Sequence, residues 1–494
     1  MQEETPNTPS SDHAAMADYW ELAETLMGGT KAIRAQTKYL PKYENETQPA
    51  YDLRRKNAKF TNIYRDIVEN LAQRPFASEV QVAETAPESI KAFIEDVDGR
   101  GNHLHVFAGE TFFAGINAAI DWIMVDFTKA STANATKADE KRMGVRPYWV
   151  RIPASSVLAA YSAIIDGKEE FVHVRINEPV TARDGFKEKT IERVRVLDRE
   201  AMPDGSYGPA RYQVWEKQKN GSHGKEEWVE TDDKGPISIG VIPLVPFITG
   251  RRIGGSWRLH PPMRDAADLQ IEHYQQESAL KHIEELTAFP MLAGNGVSPP
   301  IGDNGKPMAV PVGPQAVLYA PPHGDKASGS WNFIEPGSES LNFLLKHIEQ
   351  TAQELRELGR QPLTAQSGNL TVITTAFAAQ KGNSAIQAWA LNLKDALERA
   401  FTLTLMWLKE SGDVEVKIDT DFDLGMGDDD SFEHVMAMAS GDDPLISRET
   451  AISEAKRRNI LSAEFDQEKD DLAIIKDMNR DHEPTDPDAD ADGL

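Results

Sequence analysis

The sequence predicts a multidomain α+β protein in which long helices flank β-rich stretches. Three observations carry that class. Residues 261–289, PPMRDAADLQIEHYQQESALKHIEELTAF, read as one long helix entered through Pro261 and Pro262 and stopped by Pro290. A second, SESLNFLLKHIEQTAQELRELG, runs from Ser338 to Gly359, and a third runs from about Thr375 to Glu410. Between Arg146 and Thr249 the texture turns to short runs rich in β-branched and aromatic residues.

Along the chain, residues 1–17 are polar and acidic, which predicts a disordered N-terminus with no signal peptide. From Asp18 to about Phe127 the pattern is mainly helical. Tyr19, Leu22, Ala23 and Leu26 share one face, and Ile63, Ile67, Val68 and Leu71 continue the logic until Pro75. Pro87 opens a further helix, and the apolar run GETFFAGINAAIDWIMVDF at 109–127 continues this helical stretch as a buried segment. Residues 128–142 form an Ala/Thr/Lys loop. Next, PYWVRIP, EFVHVRINE, TIERVRVLD, RYQVWEK and EEWVETD predict a meander of half-buried antiparallel strands. Asp166-Gly167, Asp184-Gly185, Asp204-Gly205 and Asn220-Gly221 supply turn signals between them. Residues 290–335 are dense in proline, which forbids a helix and favours strands and rigid turns. Residues 361–374, QPLTAQSGNLTVIT, lack both periodicities, carry no net charge, and read as a loop. Beyond the third helix come one strand, DVEVKIDTDFDL, a helix RETAISEAKRRNIL capped by Ser447 with Thr450, and a helix EFDQEKDDLAIIKDMNR.

Composition narrows the function. At 494 residues there is room for two to four domains; without cysteine there is neither a disulfide framework nor a thiolate metal site. The most apolar run, VIPLVPFI at 241–248, is broken by Pro243 and Pro246, so no membrane span is predicted and a soluble intracellular product is expected. The formal charge is −26, and residues 411–494 hold 25 acidic against 8 basic residues, a net −17. Tight DNA gripping needs the opposite balance. Residues 481–494 read as a solubilising acidic tail, or as a surface past which DNA moves without sticking.

The catalytic motifs are missing. There is no phosphate-binding Gly-rich loop, no zinc helix and no nucleophile elbow, so no enzyme, metal or cofactor is predicted. His273/Glu277 and His282/Glu285 have metal-compatible helical spacing, but a long amphipathic helix produces such pairs by chance, and a solvated or subunit-interface role is expected. Asp419, Asp421 and Asp423 start like a calcium loop, but the glycine comes late at Gly425 and Asp430 stands where the closing Glu belongs. Arg54, Arg55, Lys56 and Lys59 cluster among Glu44, Glu46, Asp52, Asp66 and Glu69, which favours a solvated or interface face over phosphate contact. Lys346, Arg356, Arg360 and Lys381 lie on or beside the long helices, where a ring would repeat each once per subunit.

Four phrases in order resemble the portal proteins of tailed bacteriophages. YDLRRKNAKFTNIYRDIVENLAQRPF at 51–76 is similar to a wing signature of one portal subgroup, and RPYWVRIPASSVLAAY at 146–161 to the wing strand after it. PPMRDAADLQIEHYQQESALKHIEELTAFPMLAGNG at 261–296 resembles the descending stem helix and entry to the clip, and DPLISRETAISEAKRRNIL at 443–461 the crown helix. The resemblance runs over roughly residues 18–480.

It implies a portal-type subunit with an α/β wing at 18–260, stem helix 1 at 261–289, a β-rich clip at 290–335 and stem helix 2 at 336–360. A tunnel loop at 361–374, a long wing helix at 375–410, a helical acidic crown at 411–480 and the tail at 481–494 complete it. Such subunits form a homo-oligomeric ring, usually a dodecamer, at one capsid vertex of the virion, after assembly in the host cytoplasm. Double-stranded DNA is packaged and ejected through its axis. The implied partners are the packaging ATPase (terminase large subunit), then the head-to-tail adaptor, with the major capsid protein and scaffold around the ring. On this reading the DNA-facing loop is Gln361, Pro362, Leu363, Thr364, Ala365, Gln366, Ser367, Gly368, Asn369, Leu370 and Thr371. Lys346 and Lys381 are an optional charged ring in the channel, and Pro299, Pro300, Asp303, Asn304 and Lys306 the clip docking surface. The narrow stripes Met263, Leu269, Ile283, Leu286, Phe289 and Leu341, Leu344, Leu345, Ile348, Leu355, Leu358 call for neighbouring subunits as partners. The alternatives are another structural head or neck protein and, more remotely, a carboxylate-rich metal-dependent nuclease.

Overall fold

The computed structural model describes residues 5–128, 145–220, 225–288, 291–295, 329–334, 338–358, 372–420, 437–439, 445–457 and 467–480, with the single residues 297, 306, 461 and 465. The chain divides into two compact units, residues 1–421 and 422–494.

The first described helix is α1 (Ser11–Met27), so the expected disorder is corrected over residues 5–17, residues 1–4 lying outside the described residues. Ser10 caps it by accepting from His13 N at 3.2 Å, and Met16, Tyr19, Leu22, Ala23 and Leu26 are buried along one face. Ser10 N donates to Leu158 O at 2.8 Å, and Asp12 Oδ2 accepts from Trp257 N at 2.8 Å. Distant backbone groups hold a segment whose polarity alone reads as loose. Helices α2 (Gly29–Ala35), α3 (Gln48–Asn57) and α4 (Ile63–Gln73) follow, α4 capped by Asn62 accepting from Arg65 N at 3.0 Å. Strand β1 (Gln81–Val82) and helices α5 (Glu88–Phe93) and α6 (Leu104–Ala118) complete the helical part.

The apolar run at 109–127 is not one helix. It breaks at Ala119, whose φ is 72°, and continues as strand β2 (Ile120–Phe127). Six successive buried residues hide the alternation that marks a half-exposed strand, so a fully buried strand reads like a buried helix. β2 is central in an antiparallel sheet between β3 (Pro147–Ile152) and β11 (Leu244–Ile248). Pro246 fits because β11 is an edge. A Cβ on Gly115 of α6 would stand 2.3 Å from the Phe247 ring, so only glycine lets the helix approach this sheet.

A second antiparallel sheet has the order β10-β9-β8-β5-β4, formed by β4 (Val157–Ile165), β5 (Lys168–Asn177), β8 (Arg193–Asp198), β9 (Arg211–Asn220) and β10 (Lys225–Pro236). The predicted meander is therefore two sheets. PYWVRIP pairs with β2, and TIERVRVLD is divided between β8 and a separate hairpin of β6 (Val180–Asp184) and β7 (Lys187–Ile191). Asp166 and Gly167 take positive φ at the β4–β5 turn, as that turn signal requires. A short pair, β12 (Arg251–Arg252) and β13 (Leu259–His260), leads to helix α7 (Arg264–Ala288).

Strand β14 (Met291–Asn295) pairs antiparallel with β15 (Ser330–Ile334), and helix α8 (Ser338–Leu358) follows. Helix α9 (Val372–Leu408) begins three residues before the expected Thr375, so Val372, Ile373 and Thr374 belong to the helix and not to the loop. It lies on the β2 sheet, with Leu393, Leu397 and Phe401 fully buried. Trp149 sits at this centre against Phe93, Phe107 and Phe401, its Nε1 donating to Thr404 Oγ1 at 2.9 Å. Within the described part of the expected strand DVEVKIDTDFDL, residues 413–420, the strand is β16 (Val416–Lys417), paired with β1. Among the described residues no helix is long and apolar enough to cross a membrane.

In the second unit, α10 (Arg448–Arg457) is capped by Ser447 Oγ, which accepts from Thr450 N at 3.1 Å. Arg448 pairs with Asp471 of α11 (Gln467–Arg480) at 3.0 Å.

Candidate functional site

The long helices α7 (Arg264–Ala288) and α8 (Ser338–Leu358) pack against one another. At 25 and 21 residues they span roughly 37 and 31 Å. Both are fixed to the start of α4. Near the beginning of α7, Gln270 Oε1 accepts from Tyr64 N at 2.9 Å, while its Nε2 donates to Thr61 O at 3.1 Å. Near the end of α8, Arg356 Nη1 donates to Asp66 Oδ2 at 3.0 Å. Because the start of one and the end of the other meet the same turn of α4, the two packed helices run antiparallel. The strand pair β14–β15 sits at the far end of this helical hairpin.

The face that α7 turns to its own chain is half polar; of the expected apolar stripe Met263 is buried, Leu269 and Ile283 are half-buried, and the side chains of Leu286 and Phe289 lie outside the described residues. Ala266, Ala267 and Tyr274 are buried, but so are Gln270, His273, Glu277 and Ser278. Glu277 accepts from Thr61 N at 2.8 Å, Thr61 Oγ1 at 2.7 Å and Lys59 Nζ at 2.9 Å. Burial alone would raise the Glu277 carboxyl, but the Thr61 and Lys59 donors outweigh it and hold the carboxyl below its ordinary range. His273 lies 3.7 Å from that carboxylate, and burial pushes its imidazole down. The solvated or intersubunit role expected for His273/Glu277 is thus overturned, since both are buried against this chain's own residues. Helix spacing alone could not reveal that Thr61, 216 residues away, supplies the donors.

α8 behaves in the opposite way. Leu355 is fully buried, yet Phe343 is 75% exposed, with Leu345 and Leu358 also exposed. Lys346 is exposed on the same helix. Lys381 falls within α9, its side chain outside the described residues. Gln361 to Thr371, Arg360, Pro299, Pro300, Asp303 and Asn304 lie outside them too; Lys306 is exposed. So does the acidic run from Asp421 onward that resembles a calcium loop.

The basic cluster at 54–59 comes apart. Arg54 is buried, donates twice to Glu46 at 2.8 Å, and stacks 4.1 Å over Tyr43, so it clamps the loop before α3. Lys59 serves Glu277, and Arg55 lies 3.7 Å from Asp52. Among the described residues no three His, Asp or Glu side chains gather as a metal site.

A family model described as a domain of unknown function, DUF4055, matches residues 262–408, from α7 through α9. No curated protein matches the sequence. Among solved structures, the chain is similar to one described as the neck of a native GTA particle computed with C12 symmetry. The identity is 11% and the TM-score 0.40, covering 79% of this chain and 89% of that one. It is also similar to a chain in the neck of an empty GTA particle computed with C6 symmetry, at 10% identity, TM-score 0.41, covering 84% and 95%. A chain in the virion of a native gene transfer agent particle matches at 11% identity, TM-score 0.36, covering 90% and 97%.

Proposed function

We propose that this chain is the subunit of a portal ring of a tailed phage or phage-like particle, a structural protein and not an enzyme. Double-stranded DNA is packaged and later ejected through the axis of the ring. The observation that carries the reading is the helical hairpin α7–α8 with a strand pair at its tip and exposed apolar side chains on α8. A pocket enzyme has no use for such an arm. A ring does, because each subunit can cover its neighbour's stripe in a heterologous contact that repeats until it closes.

On this reading the hairpin is the stem, and residues 290–335 are the clip on which the packaging ATPase docks before the adaptor replaces it. The connection from Leu358 to Val372 faces the duplex. The net charge of −26 suits passage without adhesion, since a duplex carries one negative charge per ~1.7 Å, and the repulsion reaches about a Debye length, ~8 Å. Negative-stain imaging of the purified protein tests this directly. Rings with a central hole are the expected result, and single 54.8 kDa particles even with capsid partners co-expressed would refute it.

A further inference from the structure

Two features at opposite ends of strand β5 have complementary chemistry. Hairpin β6–β7 leaves the sheet where β5 ends at Asn177 and returns where β8 begins at Arg193. None of its strand residues is buried, and Phe186 at its tip is completely exposed. A lone two-stranded hairpin is marginal in water, so an apolar tip on one calls for something to rest against.

At the other end of β5, beside Glu169 and Glu170, a cleft of about 270 Å³ opens between the sheet and helix α9. Its apolar lining is Phe171, Trp257, Pro246 and Ile248, with the two aromatic rings 5.1 Å apart and the Arg252 guanidinium 4.2 Å over Trp257. Glu169 and Glu170 are already engaged by Arg252 and Arg199. On the α9 side, among the described residues the Asp395 side chain makes no hydrogen bond or ion pair, and Arg399 makes none either, acting on Glu169 only at a distance by helping to hold its carboxyl low. On the hairpin the Asp184 and Lys187 side chains likewise make no hydrogen bond or ion pair among the described residues.

We propose that the hairpin tip of one copy of this chain seats in the cleft of the next, Phe186 on the apolar lining, Lys187 against Asp395 and Asp184 against Arg399. The spacings agree. Asp184 and Lys187 are register partners across the hairpin, ~5 Å apart, and Asp395 and Arg399 are one helical turn apart, ~5–6 Å. A chain's own tip is kept from its own cleft by the length of β5, ten residues or ~33 Å, which lies between them. Knob and socket on opposite sides make a head-to-tail contact, which repeats into a ring. The proposal rests on the ring reading for closure and adds the contact that joins neighbours.

The absence of cysteine allows a clean test. Phe186→Ser should raise the concentration needed for assembly by roughly tenfold or more, as removal of a central aromatic anchor does. Lys187→Asp and Asp395→Lys should each weaken assembly, and the two together should recover most of it. Glu188→Cys with Leu391→Cys, treated with a short bis-maleimide, should give a ladder of covalent multimers on a denaturing gel. Rings that persist unchanged in all three substitutions, with no ladder, would overturn the contact while leaving the ring reading intact. A parent chain that light scattering finds monomeric at every concentration would overturn both.

Discussion

Glu277 and Thr61 are joined twice, at 2.8 Å through the Thr61 amide and at 2.7 Å through its hydroxyl, although 216 residues separate them. This is the bolt that fixes helix α7 to the start of α4. Thr61→Val removes one donor and leaves the buried carboxylate with the amide and Lys59, so a loss of about 1–3 kcal/mol is expected. Lys59→Ala together with Thr61→Val leaves an under-compensated buried charge and should cost about 3–5 kcal/mol. Urea unfolding of both variants checks the order. Equal, small losses would mean that water replaces the donors.

The same cluster sets a pH dependence. Burial holds the His273 imidazole below its ordinary value of 6.5, so between that value and the lower folded one the unfolded chain takes up a proton the folded chain refuses. Stability should therefore be full above about pH 6.5 and fall as pH drops through that window. Glu277, held below 4.5, adds a second fall at more acid pH. Thermal melts between about pH 7.5 and 5 should show the first decline in the parent and a flatter profile in His273→Gln.

Asp121 has the opposite sign. It is buried in β2, and burial pushes its carboxyl up to about 8, although Arg151 at 3.3 Å pulls it back. Its contribution is complete below the ordinary 3.8 and is lost as pH rises towards about 8. Asp121→Asn should melt at a higher temperature than the parent at about pH 8 and at a similar one at about pH 5. An equal drop at both would mean that the ion pair with Arg151 dominates.

What was legible in the sequence follows from which physics is local. Helices α7, α8 and α9 announce themselves through proline stops and long periodic runs, and the Ser447 cap is found where its spacing places it. Strand β2 is misread because being buried on both faces erases its alternation. The order of residues 5–17 is invisible because it depends on Leu158 and Trp257. The cleft beside Asp395 is assembled from three distant segments, 162–171, 246–257 and 392–399, and no motif marks it. Phe186 alone left a trace, an aromatic residue straight after an Asp-Gly turn signal.

Assembly should depend on the exposed side of α8. Phe343→Asp places a charge where an exposed ring now stands, at no cost to the chain's own core. If that ring is covered by a neighbouring subunit, the roughly 650 kDa assembly expected for twelve copies should dissociate, with helix content by circular dichroism unchanged. Light scattering decides it, and intact rings would place the subunit contact elsewhere on the chain.

The most mechanistic expectation concerns the connection between α8 and α9. The chain leaves α8 at Leu358 and enters α9 at Val372, and residues 361–371 between them carry no charged side chain. Thr364, Gln366, Ser367 and Asn369 can hydrogen-bond to phosphate oxygens and release them at little cost, whereas a lysine ring would grip. If this connection lines the channel, it limits slippage of the packaged duplex rather than driving it inward. Deleting Ala365 to Asn369 should then leave ring assembly and early packaging close to normal, while filled heads lose DNA. Nuclease protection of the packaged genome measures the leak over time. Full retention in the deletion variant would reduce the segment to a plain connector and remove the loop from the mechanism.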